Sequence, residues 1–243
     1  MIIPARFAST RFPGKPLADI NGKPMIAHVV HQVKKAQHVD RIVVATDNNE
    51  IAHTVEQFGG EAMLTVDEHP SGTDRCLEAY NKLGEDFDVI INVQGDEPFI
   101  HPDMIDTLVE IMVKPEVKLG TLVKRVEDIG VLLDPNKVKV VLNNRKEALY
   151  FSRSPIPFAQ GSLAREWLNN QAYYKHIGMY GYTPDSLREI THLEVSSLEK
   201  TESLEQLRWL ENGMTIRCGI TKHESPSVDT PEDLQTLLHT INV

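Results

Sequence analysis

No apolar run in this 243-residue chain approaches the ~18 residues that a bilayer-spanning helix needs, so no membrane insertion is expected. No basic stretch followed by an apolar one stands ahead of the first strand, so no signal peptide is expected either. Only two cysteines occur, Cys76 and Cys218, far apart and without metal-type spacing. Such a pair reads as reduced thiols of a cytoplasmic protein rather than as a disulfide. Cations are scarce: 25 Lys and Arg against 35 Asp and Glu give a formal charge of −10, which argues against a nucleic-acid partner. An anionic substrate must therefore be held by cations concentrated locally. Neither of the two commonest phosphate loops is present, G-x-G-x-x-G or G-x-x-x-x-G-K-[ST]. The histidines, His28, His31, His38 and His53 among them, show no zinc-type grouping, and there are no repeats or low-complexity tracts. Length and a 41% hydrophobic content fit one large domain, or a domain carrying a lobe, with a sizeable core.

What is present begins with the first seventeen residues, MIIPARFASTRFPGKPL. Ile2 and Ile3 read as a strand that stops at Pro4. Three cations follow, Arg6, Arg11 and Lys15, spaced by the small residues Ala8, Ser9 and Thr10 and by Pro13-Gly14. One or two such cations would read as a solvated basic loop. Three, straight after a buried strand and beside glycine, read as a loop that folds N–H groups and cations around a polyphosphate.

Beyond it, strands and helices alternate. Pro24 opens a helix with Met25, Ile26, Val29, Val30 and Val33 on one face. Arg41–Asp47 is a buried strand ending in a carboxylate, and Asn48 caps a helix that Gly59-Gly60 stop. Glu61–Thr65 is a weaker strand, a helix runs from Gly72 to about Leu83, and Asp88–Val93 is the clearest strand. This order predicts a mostly parallel, Rossmann-like α/β sheet flanked by helices, with ligand at the C-terminal strand ends. After about Asp134 the pattern changes. Lys137–Leu142 and Ala148–Ser152 form a hairpin about Asn143-Asn144. Ser154–Tyr174 reads as a mobile or partner-covering loop. His176–Tyr182 reads as a strand, Ser203–Glu211 as a helix, Met214–Thr221 as a strand and Pro231–Ile241 as the last helix. One domain over 1–243 is expected, with a smaller β-containing lobe inserted at approximately 138–182.

Two acids stand just beyond apolar strands, Asp96 in QGDEP and Asp229 in VDTPED. Each alone reads as a helix cap. Converging at one sheet edge, the pair suits Mg²⁺, which takes few protein oxygens and the rest from phosphate and water. Ser71-Gly72-Thr73 opens a helix and reads first as its cap.

The run PARFASTRFPGKPL resembles the nucleotide-binding signature of the sugar-activating cytidylyltransferases. The likeness continues through NVQGDEPFI, NKVKVVL, ALYFSRSPIP, KHIGMYGY, LEQLRWLENG and VDTPEDL, covers nearly the whole chain, and points to the branch that activates 3-deoxy-manno-octulosonate (Kdo) for lipopolysaccharide biosynthesis. The resemblance implies Pro4, Ala5, Arg6, Lys15, Ser71, Gly72, Thr73, Arg75 and Gln94 around CTP, with Arg75 either solvated or near the base. It implies Arg6, Arg11, Lys15 and Asp96 in catalysis and Mg²⁺ on Asp96 and Asp229. It implies Gln94, Arg153, His176, Tyr180, Glu205 and Gln206 around the sugar acid, and a lobe that serves sugar binding and homodimerisation. Taken singly, His176 reads as a core histidine, Glu205-Gln206 as a solvated helix face and Arg153 as an exposed strand end. His176 and Tyr180, four apart in a strand, share a face. No covalent nucleophile or strong general base is evident, so direct displacement is expected. Activation of 8-amino-Kdo or sialic acid, or a silent nucleotide-binding regulator, are the rival readings.

Overall fold

Runs of apolar residues with no solvent-facing break become the inner strands, because a parallel strand is covered on both faces. A computed structural model describes residues 1–241. The chain divides into two units, residues 1–106 with the stretch from Glu224 on, and residues 107–223.

In the first unit β1 (Ile2–Ala5) leads, followed by a small hairpin of β2 (Asp19–Ile20) and β3 (Lys23–Pro24). Asn21 and Gly22, at φ 51° and 83°, make its turn. Then come α1 (Met25–Val33), β4 (Val43–Thr46), α2 (Asn49–Gln57), β5 (Ala62–Leu64), α3 (Gly72–Leu83), β6 (Ile90–Asn92) and the first residues of α4 (Pro102–Met112), whose remainder belongs to the second unit. The strands lie in the order β6-β1-β4-β5, all parallel. α1 buries the expected stripe of Met25, Ile26, Val29, Val30 and Val33. Asn48 caps α2 by accepting from Glu50 and Ile51 N–H, as expected. The final helix, Pro231–Ile241, turns Leu234 and Leu237 into a cluster with Ile20, Met25 and Val228, against which Phe12 packs.

β1 does not stop at Pro4. It runs through Pro4 to Ala5, in register with Ala45 and Thr46 of β4. Ile2 O accepts from Val93 N, so residues of even number point their bonds toward β6. β6 ends at Asn92, level with Ile2, so the donor that Pro4 lacks would point past its end.

The second unit holds β7 (Leu119–Arg125), α5 (Ile129–Leu133), β8 (Lys139–Leu142), β9 (Ala148–Ser152), α6 (Trp167–Asn170), β10 (Tyr174–Tyr182), α7 (Pro184–Thr191), α8 (Ser197–Glu202), α9 (Gln206–Glu211) and β11 (Arg217–Thr221). β11 runs parallel to β7. β7 is antiparallel to β10, β10 to β8, and β8 to β9. The hairpin β8–β9 is as expected. The segment read as a mobile or partner-covering loop carries packed residues: Trp167 and Tyr173 are buried with Val126 and Leu132, and Tyr173 Oη donates to Pro157 O at 2.9 Å. The helix expected over Ser203–Glu211 starts later, at Gln206, and Ser203, at φ 53°, instead ends a separate helix, α8, that was not expected. Among the described residues no helix is long and apolar enough to cross a membrane.

Candidate active site

The loop after β1 is closed by its own backbone. Phe7 O accepts from Ser9 N and Gly14 N, both at 3.0 Å, and Gly14, at φ 70°, turns the chain into the short 3₁₀ turn that carries Lys15. Lys15 is thereby aimed inward and only 13% exposed. Its Nζ donates to Asp96 Oδ2 at 2.6 Å and to Asp229 Oδ1 at 3.3 Å. Arg11 reaches the same Asp229 oxygen at 3.0 Å.

Asp96 is set by a close approach of backbones. A Cβ on Gly95 would come within 2.8 Å of Pro4 O, so only glycine lets the chain leaving β6 pass β1 there. Val228 N then donates to Asp96 O at 2.9 Å and brings the following residue, Asp229, alongside. The cap reading of Asp229 is not realised. Thr230 Oγ1 accepts from Asp233 N at 3.2 Å, while Asp233 Oδ2 accepts from Thr230 N at 2.9 Å and Asp229 N at 3.0 Å. That reciprocal pair caps the last helix and releases the Asp229 carboxylate to face Lys15.

Two carboxylates meeting at one ammonium form a donor set that suits a hard divalent cation with open positions for phosphate and water. Glu97 adds no charge to it. Burial, with the neighbouring Asp96 charge second, pushes its carboxyl up to about 8, so it keeps its proton at neutral pH.

A cavity of about 330 Å³ opens here. Its wall gathers Pro4, Ala5, Arg6, Arg11, Lys15, Ser71, Gly72, Arg75, Gln94, Asp96 and Asp229, and also His69, Pro70 and Gly95, which were not expected. Thr73 is buried and not part of the wall. Ser71 Oγ accepts from Thr73 N and Asp74 N, so its side chain serves as the cap. Gly72 packs against the Pro4 ring, a hypothetical Cβ meeting it at 3.4 Å. Arg75 is buried rather than solvated: it lines the cavity while its guanidinium bonds Asp47, Thr65, Val66 O and Asp67 O. His69 bonds Glu78, which also accepts from Val66 N at 3.0 Å. Burial pushes the Glu78 carboxyl up, but bonds from Lys82, His69 and Val66 outweigh it and hold it near 2.

The remaining sugar-set residues lie in the second unit. Arg153 Nε donates to Glu202 O at 2.6 Å, with further bonds to Pro135 O and Ser203 O, so the guanidinium fastens the turn between α8 and α9. Glu205 stands at the start of α9 and Gln206 is buried in it. The register of β10 shifts between Ile177 and Tyr180 by two extra residues, which keeps the alternation, and the His176 and Tyr180 rings meet at 5.3 Å. Thr121 Oγ1 lies 3.0 Å from His176 Nε2 and donates its own proton to Met179 O at 2.8 Å. Burial lowers the His176 pKa to about 3, which favours the neutral imidazole. Both cysteines are buried free thiols, and burial pushes Cys218 up to about 12, so neither offers a thiolate nucleophile.

Comparison with known proteins gives a consistent result. The cytidylyltransferase family model matches residues 1–216. A 3-deoxy-manno-octulosonate cytidylyltransferase of Parabacteroides distasonis is 55% identical over 241 residues, 98% of this chain and 95% of that protein. A protein of the same name from Cytophaga hutchinsonii is 54% identical over 240 residues, 98% of this chain and 96% of that protein. The solved structure of a CMP:2-keto-3-deoxy-manno-octonic acid synthetase in complex with CTP superposes with a TM-score of 0.91 at 41% identity, covering 99% of this chain and 97% of its own.

Proposed function

The chain belongs to the cytidylyltransferase family, and on that premise we propose that it activates 3-deoxy-manno-octulosonate with CTP, yielding CMP-Kdo and pyrophosphate for lipopolysaccharide synthesis. The observation that carries the reading is the convergence of Lys15, Asp96 and Asp229 at a cavity that the Ser71-Gly72 turn also lines. The first group is read as the phosphate-holding end and the turn as the base-reading end.

The anomeric hydroxyl of the sugar attacks the α-phosphorus in line. The new O–P bond forms as the bond to the β-phosphate breaks, the hydroxyl proton passes to solvent, and pyrophosphate leaves with the electron pair. Arg6, Arg11 and Lys15 neutralise the charge that builds on the phosphates. Asp96 and Asp229 would hold Mg²⁺, which when bound neutralises phosphate charge and acidifies a nearby hydroxyl. Backbone groups of Ser71 and Gly72 meet the pyrimidine edge, since the serine side chain is taken by its helix.

For the sugar we keep Gln94, Arg153, His176, Tyr180, Glu205 and Gln206. Gln206 supports this choice: it is 4% exposed and its Nε2 has no protein partner, a cost that a polyhydroxylated ligand relieves. Arg153 contributes by holding the α8–α9 turn that presents Glu205 and Gln206. The chain is further proposed to work in the cytoplasm, as its free thiols suit, and as a homodimer formed through the 138–182 lobe, where Leu149, Phe158 and Leu163 are exposed.

Pyrophosphate release tests the reaction over CTP, UTP and ATP, each with Kdo, 8-amino-Kdo and sialic acid. CTP with Kdo should be the best pair, and Asp96→Asn, with unchanged thermal unfolding, should lose about a hundredfold in kcat/KM. Comparable turnover with ATP, or a folded and active Asp96→Asn, would overturn the assignment.

A further inference from the structure

Asp47 is not part of the cavity wall, yet it joins the two ends of the cavity. It follows β4 directly, and its carboxylate oxygens face different elements. Oδ1 accepts from Phe7 N at 3.0 Å, the first amide beyond Arg6 in the phosphate-holding loop. Oδ2 accepts from Arg75 Nη2 at 3.1 Å. Both side chains are almost enclosed, at 9% and 4% exposure. Arg75 spends its other donors on Thr65 Oγ1, Val66 O and Asp67 O, the segment that leads into the Ser71 turn, and it sits in the first turns of the helix which that serine caps.

A buried ion pair is a poor source of net stability, because desolvating both charges offsets their attraction. What it supplies is registry: a planar guanidinium and a carboxylate accept one geometry and few others. Here the geometry fixes the start of one loop against the entry to the other. We infer that Asp47 is a positioning residue for the nucleotide, setting through Phe7 and Arg75 the span between the phosphate-holding loop and the base-reading turn. The inference rests on the nucleotide reading of the cavity proposed above.

Asp47→Asn separates the two bonds. An asparagine oxygen still accepts from Phe7 N, but its amide hydrogens face the guanidinium, donor against donor. Steady-state kinetics with each substrate varied should show the KM for CTP rising about tenfold and the KM for the sugar changing less than about twofold. Arg75→Lys, measured in the same way, keeps the charge and loses the fork, and should reproduce the split. The double variant should be no worse than the worse single one, because both act through one link. Calorimetric affinity for CTP, measured in parallel, does not need turnover. Absence of turnover by the wild type would overturn the proposed reaction, and Asp47 would then be judged on CTP affinity alone. A folded Asp47→Asn with the wild-type KM and affinity for CTP would overturn the positioning role. So would equal rises in both KM values, which indicate general loosening. Should Asp47→Asn fail to fold, the Arg75→Lys result decides by the same criteria.

Discussion

His176 is a buried imidazole held between Phe151 and Tyr180, with ring centroids 5.1 and 5.3 Å away, and its Nε2 lies 3.0 Å from Thr121 Oγ1. Burial lowers its pKa from 6.5 to about 3. The sign of the consequence follows from proton counting. Below pH 6.5 the unfolded chain takes up a proton that the folded chain refuses until about pH 3, so this residue's contribution is complete above 6.5 and is lost as pH falls through that window. Between pH 6.5 and about 5 the loss is at most ~2 kcal/mol. Urea midpoints at those two pH values should therefore fall less in His176→Gln than in the wild type. Parallel declines would show that His176 protonates in the fold as easily as in solution. Lys15 represents the opposite design, a cation kept among acids, with both Asp96 and Asp229 within 3.3 Å. Its presence lets two carboxylates stand together before a metal or a phosphate arrives.

Among the elements, the final helix matters most to the site, because its cap decides where Asp229 points. Thr230 and Asp233 satisfy the first amides between them, and Asp233 also accepts from Asp229 N. Asp233→Ala should cost about 1 kcal/mol of stability as a lost cap. It should also lower kcat/KM by roughly tenfold without touching the cavity, since Asp229 loses the bond that fixes its backbone. Thr230→Ser, which keeps the cap oxygen, should behave as the wild type in thermal melts and in turnover. Equal activity in the two variants would remove the cap from the account of the site. That Asp229 belongs with Asp96 is legible in the sequence, because two acids beyond apolar strands suit a metal. That the neighbouring Thr230-x-x-Asp233 frees it from capping is legible only once the pair is seen. Strands of unbroken apolar residues, such as Val43–Thr46, and the Asn143-Asn144 hairpin are equally plain, since period and turn chemistry are local. β7 is hidden by Gly120, which interrupts its pattern and is there because a Cβ would meet Met112 Sδ at 2.7 Å. α8 and its end at Ser203 are hidden as well, because a positive φ on serine has no local signal. Asp47 shows in the sequence as a carboxylate closing a strand, but its partners lie 40 and 28 residues away.

At the scale of the whole molecule, a formal charge of −10 disfavours approach of a nucleoside triphosphate, and Arg6, Arg11 and Lys15, gathered at the cavity, offset it there. The same surface carries an apolar feature that charge does not explain. Within residues 138–182, Leu149 is 59% exposed, Phe158 75% and Leu163 57%, and Phe158 rests edge-on against Trp167 at 5.4 Å. Scattered single side chains of this kind are ordinary on a monomer, but three in the lobe proposed for self-association would suit a symmetric interface. Burying one large apolar side chain in such an interface contributes about 1.5–3 kcal/mol, and a two-fold axis uses each residue twice. Sedimentation equilibrium on the full chain should therefore give a dimer for the wild type. Phe158→Asp should weaken it by at least ~100-fold, because two desolvated carboxylates replace two buried rings. Leu149→Asp, on a strand that does not touch Trp167, separates loss of the interface from loss of the local packing. A monomeric wild type at micromolar concentration would overturn the dimer, and a dimer unaffected by both substitutions would place its interface outside this lobe.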